Sequence, residues 1–93
     1  MDSVLQDTKE CYVCKTTHNL HSHHIFYGTA NRKKSEQYGM KVWLCGTHHN
    51  LSNEGVHFNK KLDLQLKKLG QMYMITHGMT LDYFIREFGR SWL

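Results

Sequence analysis

Leu44-Cys45-Gly46-Thr47-His48-His49-Asn50 is the stretch whose reading decides the fold, together with His21-Ser22-His23-His24-Ile25 upstream of it. Each is rich in histidine, and each reads as the edge of a metal site. Cys11 and Cys14 form a Cys-x2-Cys pair, and after 30 residues Cys45-x2-His48 supplies a second pair. Zinc takes four soft or borderline ligands in a tetrahedron, and two-residue spacing lets each pair grip one edge of it. The pattern predicts a structural zinc held by Cys11, Cys14, Cys45 and His48. His49 is the alternative fourth ligand, although it breaks the spacing.

The first pair would sit in a knuckle, and the second where a strand ends and a helix starts. That placement is a treble-clef arrangement, in which the metal ties a hairpin to a helix N-terminus. Zinc binding would contribute directly to folding. A chain of 93 residues is the length of one domain, buries proportionally little surface and gains from such a staple. The formal charge of +4 and a pI of about 9.1 favour a polyanionic partner. Charged residues at 22% and apolar ones at 40% are ordinary for a soluble globule, which argues against global disorder.

Three cysteines, an odd number, argue against a disulfide framework. Met1 to Glu10 has no apolar run that would make a signal peptide, and no stretch approaches the roughly 20 apolar residues of a membrane span. The expectation is a cytoplasmic protein with reduced thiols free to take a metal, and with no membrane partner.

Residues 1–9 read as polar and loose, and Glu10 to Lys15 as the knuckle. Leu20 to Tyr27 suits a strand ended by Gly28. Gly28 to Gly39 reads as a polar connection, and Met40 to Leu44 as a second strand with Met40, Val42 and Leu44 on one face. The two strands then form a hairpin with a long basic loop. A short helix begins near Thr47 and stops around Asn53 and Gly55. After a tight connection through Asn59, Lys60 to Thr76 places Leu62, Leu66, Leu69 and Tyr73 at helical spacing. Gly70 weakens that helix slightly and Gly78 stops it. Thr80 caps a final helix, Leu81 to Phe88, with Met79 and Phe84 in hydrophobic-staple positions. Gly89 ends it, and Trp92 and Leu93 fold back as a plug. The predicted class is α+β in a single domain, 1–93: a treble-clef-like core over 11–59 and two C-terminal helices over 60–93.

His23, His24 and His49 are left over once zinc is satisfied. Successive helical side chains are rotated by about 100°, so His49 can point away from the zinc toward the hairpin. Imidazoles from strand and helix would then converge near a basic loop. Nuclease chemistry uses such a set: a metal to hold the scissile phosphate and leaving oxygen, and a neutral histidine to deprotonate water. A His-His pair alone is more often a surface or core feature, and only the surrounding constellation raises it to a site. His21 shares strand parity with His23 and reads as support or a DNA contact. His18 reads as a turn or outer-layer residue. His77, near a helix end, reads as a structural cation suited to the dipole.

His23-His24-Ile25, the following hairpin and Leu44-Cys45-x2-His48-His49-Asn50 resemble the HNH, or ββα-metal, endonucleases. Gly55-Val56-His57-Phe58-Asn59 and the ending Phe88-Gly89-Arg90-Ser91-Trp92-Leu93 resemble a narrower phage group, the Ref-type RecA-dependent nucleases and their short phage relatives. The similarity runs from about Cys11 to Leu93. It implies His23 as the strand metal ligand, His24 as general base and His49 as the helix ligand. Other members often place a further ligand four residues on, here Asn53, and His57 is favoured to supply that donor instead. The family's middle Asn falls on Met40, so the orientation of His24 must come from elsewhere, with Asn59 or Tyr38 as candidates. The resemblance also implies Mg²⁺ or Mn²⁺ as the working ion, while an imidazole-rich site can hold Zn²⁺ or Ni²⁺.

Basic residues cluster at Arg32-Lys33-Lys34, Lys60-Lys61 and Lys67-Lys68. The first cluster lies on the segment the family lays along DNA, and phosphate contacts of this kind position a duplex without reading it. Lys60 and Lys61 are further candidates, whereas Lys67-Lys68 reads as a solvated helix face. The expected activity is phage-type, metal-dependent hydrolysis of DNA phosphodiester bonds in a bacterial host. A recombinase filament or another host or phage protein is a candidate partner. The rival is a non-catalytic zinc-binding phage accessory that binds nucleic acid or a host protein. A zinc hydrolase of small molecules fits poorly, for want of an apolar pocket signature.

Overall fold

Leu20–His24 (β1) and Lys41–Cys45 (β2) pair antiparallel, in a register that sets His23 opposite Val42 and His24 opposite Lys41. The computed structural model describes residues 2–52 and 55–93 of the chain. Asn53, weighed above as a ligand, lies outside the described residues. Alternation buries Met40, Val42 and Leu44 on one face, as their spacing predicts.

Between the strands the expected loop is instead a helix, Thr29–Tyr38 (α1). Polarity suggested a loop, but Ala30 and Arg32 to Gln37 are mostly good helix formers, and no proline interrupts them. Gly39 closes α1 at φ +70°, with its N–H on Glu36 O and the Met40 N–H on Ser35 O. The buried Ser35 hydroxyl donates to Phe26 O at 2.7 Å and accepts the Phe26 N–H at 3.0 Å. That clamp returns α1 to the sheet at a fixed point.

Lys60–Thr76 (α2) and Leu81–Phe88 (α3) have the predicted bounds. Asn59 Oδ1 accepts the Leu62 N–H at 3.1 Å, and Thr80 Oγ1 accepts the Tyr83 N–H at 3.1 Å, so each helix carries a side-chain N-cap. Between sheet and helices sits a core of Ile25, Phe26, Met40, Leu44, Leu66, Met74, Phe84 and Phe88. The Phe26 ring lies 4.5 Å from Phe88, 5.1 Å from Trp92 and 5.6 Å from Phe84. Gly70 is also a site of close packing: a Cβ there would meet Phe26 at 3.1 Å and Met40 Sδ at 3.2 Å, so those side chains would have to give by a few tenths of an ångström.

Two chain ends differ from expectation. Residues 3–6, read as loose, are tied to the end of α1 through Val4 N–H on Gly39 O and to β2 through Trp43 N–H on Gln6 Oε1, with Val4 and Leu5 packed on the core. At the other end, the fully buried Gln71 donates to Ser91 Oγ at 2.9 Å and accepts the Trp92 N–H at 2.8 Å. Trp92 therefore folds back as predicted, while Leu93 stays exposed. The fold is α+β, a two-stranded antiparallel sheet packed with helices. Among the described residues no helix is long and apolar enough to cross a membrane.

Candidate functional site

Cys11 and Cys14 sit in a turn closed by Cys11 N–H on Thr16 O and Lys15 N–H on Cys11 O, with Lys15 in the left-handed region at φ +67°. The Tyr12 N–H on Trp43 O, at 2.8 Å, docks this knuckle against β2. Cys45 ends β2, and Thr47–Leu51 winds directly after it as one wide π-type helical turn. Sγ of Cys14 and Cys45 are 3.7 Å apart, and His48 Nδ1 lies 3.7 Å from Cys11 Sγ and 3.2 Å from Cys45 Sγ. A tetrahedral zinc with arms of about 2.3 Å to sulfur has edges of about 3.8 Å, which these separations approach. The four residues lie close together and could bind a metal such as zinc.

Electrostatics at this cluster suit a cation. Burial disfavours a charged Cys11, but backbone N–H groups of Cys14, Cys45 and Val13 together outweigh it and bring the thiol down to about 6. Cys45 moves the other way, pushed up chiefly by burial. A bound cation would offset that cost, because metal ligation requires the thiolate.

His49 faces away from the thiols. Its Nε2 stands 3.2 Å from His57 Nε2, and one ligand atom from each of His23, His49 and His57 falls within 4.8 Å of the others. The turn carrying His48 and His49 continues into this arrangement through Val56 N–H on His48 O and His57 N–H on His49 O. His23 is 2% exposed, and its Nε2 has no hydrogen-bond partner among the described residues. A buried polar atom without a partner is costly, and a cation held by three imidazoles would satisfy it. His23 is held neutral, pushed down to about 3 by burial first and then by His49, His57, His24 and Lys67. Its lone pair is therefore free for a ligand at neutral pH.

Sequence reasoning left His21 without a definite role and placed Lys67 in solvent. His21 lies on the His23 side of β1, and its Nδ1 is 2.9 Å from His49 Nδ1, the ring nitrogen that does not approach His57. Strand parity was the available signal for it. Lys67, read as solvated, is largely buried, packs over Tyr27 at 4.2 Å and pairs with Asp63 at 2.8 Å. Lys68 is exposed, in keeping with its reading.

His24 does not join the three imidazoles. Its side chain alternates to the other face of β1, where Nε2 lies 3.0 Å from Glu36 Oε1, while Glu36 Oε2 lies 2.7 Å from Lys41 Nζ. Neither Asn59 nor Tyr38 orients it: Asn59 caps α2, and the Tyr38 hydroxyl donates to Glu87 at 2.6 Å. Glu36 was invisible to a reading that made its segment a loop. His24, Gly28, Thr29, Arg32, Lys33 and Glu36 line an open cleft of about 750 Å³. Arg32 and Lys33 are exposed there, whereas Lys34 turns away to pair with Glu87 at 3.0 Å. Lys60 and Lys61 are exposed in the first turn of α2. His18 is exposed, and His77 stacks on Tyr73 at the end of α2, ring centroids 3.9 Å apart.

No protein-family model matches this chain, and no curated protein or solved structure gives a significant match either.

Proposed function

We propose that this chain is a metal-dependent DNA endonuclease of the HNH, ββα-metal type, with a treble-clef-like core built on zinc. The observation that carries the reading is the buried Nε2 of His23, unpartnered among the described residues and beside His49 and His57, one residue from a His24 that opens on a basic cleft. His23, His49 and His57 would hold the catalytic ion, Mg²⁺ or Mn²⁺ by resemblance, although three nitrogen donors also suit Zn²⁺ or Ni²⁺. Such an ion supplies charge for the scissile phosphate and the departing oxygen.

The remaining work falls to the chain's own residues. Attack at phosphorus is in line, so the group that takes the water's proton and the group that steadies the leaving oxygen stand on opposite sides of the phosphate. His23 and His24, adjacent on β1 and facing opposite ways, suit that division, with His24 accepting the proton. Arg32 and Lys33 beside His24, and Lys60 and Lys61 on α2, would engage backbone phosphates on either flank. Phage or prophage origin, a bacterial cytoplasm and a recombinase filament or other host or phage partner belong to the same reading.

The alternative, a non-catalytic zinc module that binds nucleic acid or a host protein, draws its support from the separation of His24 from the three imidazoles. Nicking of supercoiled plasmid in Mg²⁺ or Mn²⁺ decides between them. The endonuclease reading expects cleavage by the wild type and a loss of roughly 10²-fold or more in His24→Ala. Cleavage that survives the substitution removes the assigned base, and inactivity of the wild type in every ion favours the alternative.

A further inference from the structure

The register of the sheet places His24 directly opposite Lys41, and Glu36, in the last turn of α1, reaches both. We propose that Glu36 is a positioning residue for His24, accepting a hydrogen bond from its Nε2–H and so leaving Nδ1 as the basic nitrogen turned to the substrate. This rests on the endonuclease reading for its kinetic consequence, but its structural content stands apart from it.

The argument begins with the carboxylate. Lys41 Nζ at 2.7 Å is the foremost cause that holds the Glu36 carboxyl well below the usual range, so at neutral pH it carries no proton to donate. An ionised carboxylate only accepts, and the contact at 3.0 Å therefore runs from His24 Nε2–H to Glu36 Oε1. A neutral imidazole has one N–H, so fixing it at Nε2 leaves the lone pair on Nδ1. The same bond fixes the ring plane, which otherwise turns easily about its last torsion.

Three local features keep Glu36 in place. It lies in α1, whose end is set by the left-handed Gly39. The Ser35 clamp on Phe26 sets the depth of the helix against the chain leaving β1. Lys41, the cross-strand partner of His24, takes the second carboxylate oxygen. Met40, where the resembled family carries an Asn, is fully buried in the core, and its thioether side chain has no N–H or O–H to offer. Glu36 supplies the missing orientation from a different element.

The test uses zinc-loaded full-length protein, comparing wild type, Glu36→Ala and Glu36→Gln. Nitrogen-15 ring spectra of His24, assigned by their loss in His24→Gln, report the tautomer without substrate or catalytic ion. The proposal expects Nε2–H in wild type, retention in Glu36→Gln, whose amide oxygen still accepts, and a mixture in Glu36→Ala. In plasmid nicking, kcat falls roughly 10²-fold in Glu36→Ala with KM little changed, and Glu36→Gln recovers part of it. A wild-type Nδ1–H tautomer, or the same spectrum in Glu36→Ala, overturns the proposal. An inactive wild type with the expected spectra removes the endonuclease reading and supports the positioning role.

Discussion

His48 and His49 are neighbours in one helical turn, yet His48 Nδ1 stands 3.2 Å from Cys45 Sγ while His49 Nε2 stands 3.2 Å from His57 Nε2. One turn of chain thus serves two clusters of ligand-type atoms on its two sides.

The thiol cluster is expected to control folding. Apparent binding energies of structural zinc, roughly 10–16 kcal/mol, match or exceed the roughly 5–15 kcal/mol stability of an ordinary domain. Removal of metal by a strong chelator, or Cys14→Ser, is predicted to abolish the cooperative melt followed by circular dichroism. A melt unchanged by both treatments would show that the cluster does not bind a structural ion.

Gln71 is expected to anchor the C-terminal residues. Gln71→Leu leaves the Ser91 hydroxyl and the Trp92 N–H without their buried partner, at a cost of roughly 1–3 kcal/mol. For a domain of this size each kcal/mol lowers Tm by roughly 4–8 °C. Calorimetry checks the shift, and Trp92 fluorescence should redden as its ring leaves the contact with Phe26.

Acid sensitivity should include a contribution from Glu87. The Tyr38 hydroxyl first, and then Lys34, hold its carboxyl below the ordinary value. A depressed folded-state pKa stabilises the native protein above the unfolded value, about 4.3, and that stability is lost as pH falls through the folded one. The advantage of wild type over Glu87→Gln in urea melts is therefore present at pH 7 and shrinks below about pH 4.3. An advantage that grows on acidification would contradict the assignment.

Arg32 and Lys33 are expected to act as phosphate contacts. Replacing both with Ala should weaken DNA binding at low salt without changing sequence preference, and flatten the log Kd against log salt slope by about 2. Lys34→Ala, which breaks the ion pair with Glu87, should change stability more than the salt slope.

The fold was legible wherever a single period or cap dominated. Thr80 and Gly89 marked the ends of α3 by chemistry that acts within a few residues, and Met40, Val42 and Leu44 gave their face by alternation. The thiol cluster was legible from spacing alone, since two-residue gaps are what a tetrahedral ion would ask of its ligands. What failed was the polar segment between the strands. Its helix is specified by moderate propensities and one buried serine rather than by an apolar stripe. Reading it as a loop concealed Glu36, and with it the setting of His24. Lys67 misled for a related reason: its charge suggested solvent, but its ammonium lies 4.2 Å from the ring centroid of Tyr27 and 5.6 Å from that of Trp92, tertiary contacts with no local signature.

The most direct test of the two-site account is His49→Ala, assayed for retained zinc, for Mn²⁺ binding and for plasmid nicking in one preparation. The account predicts one tightly held zinc and a cooperative melt as in wild type, at least a tenfold loss of Mn²⁺ affinity, and nicking near background. A variant that loses its zinc, or one that binds Mn²⁺ and nicks as wild type does, would contradict it.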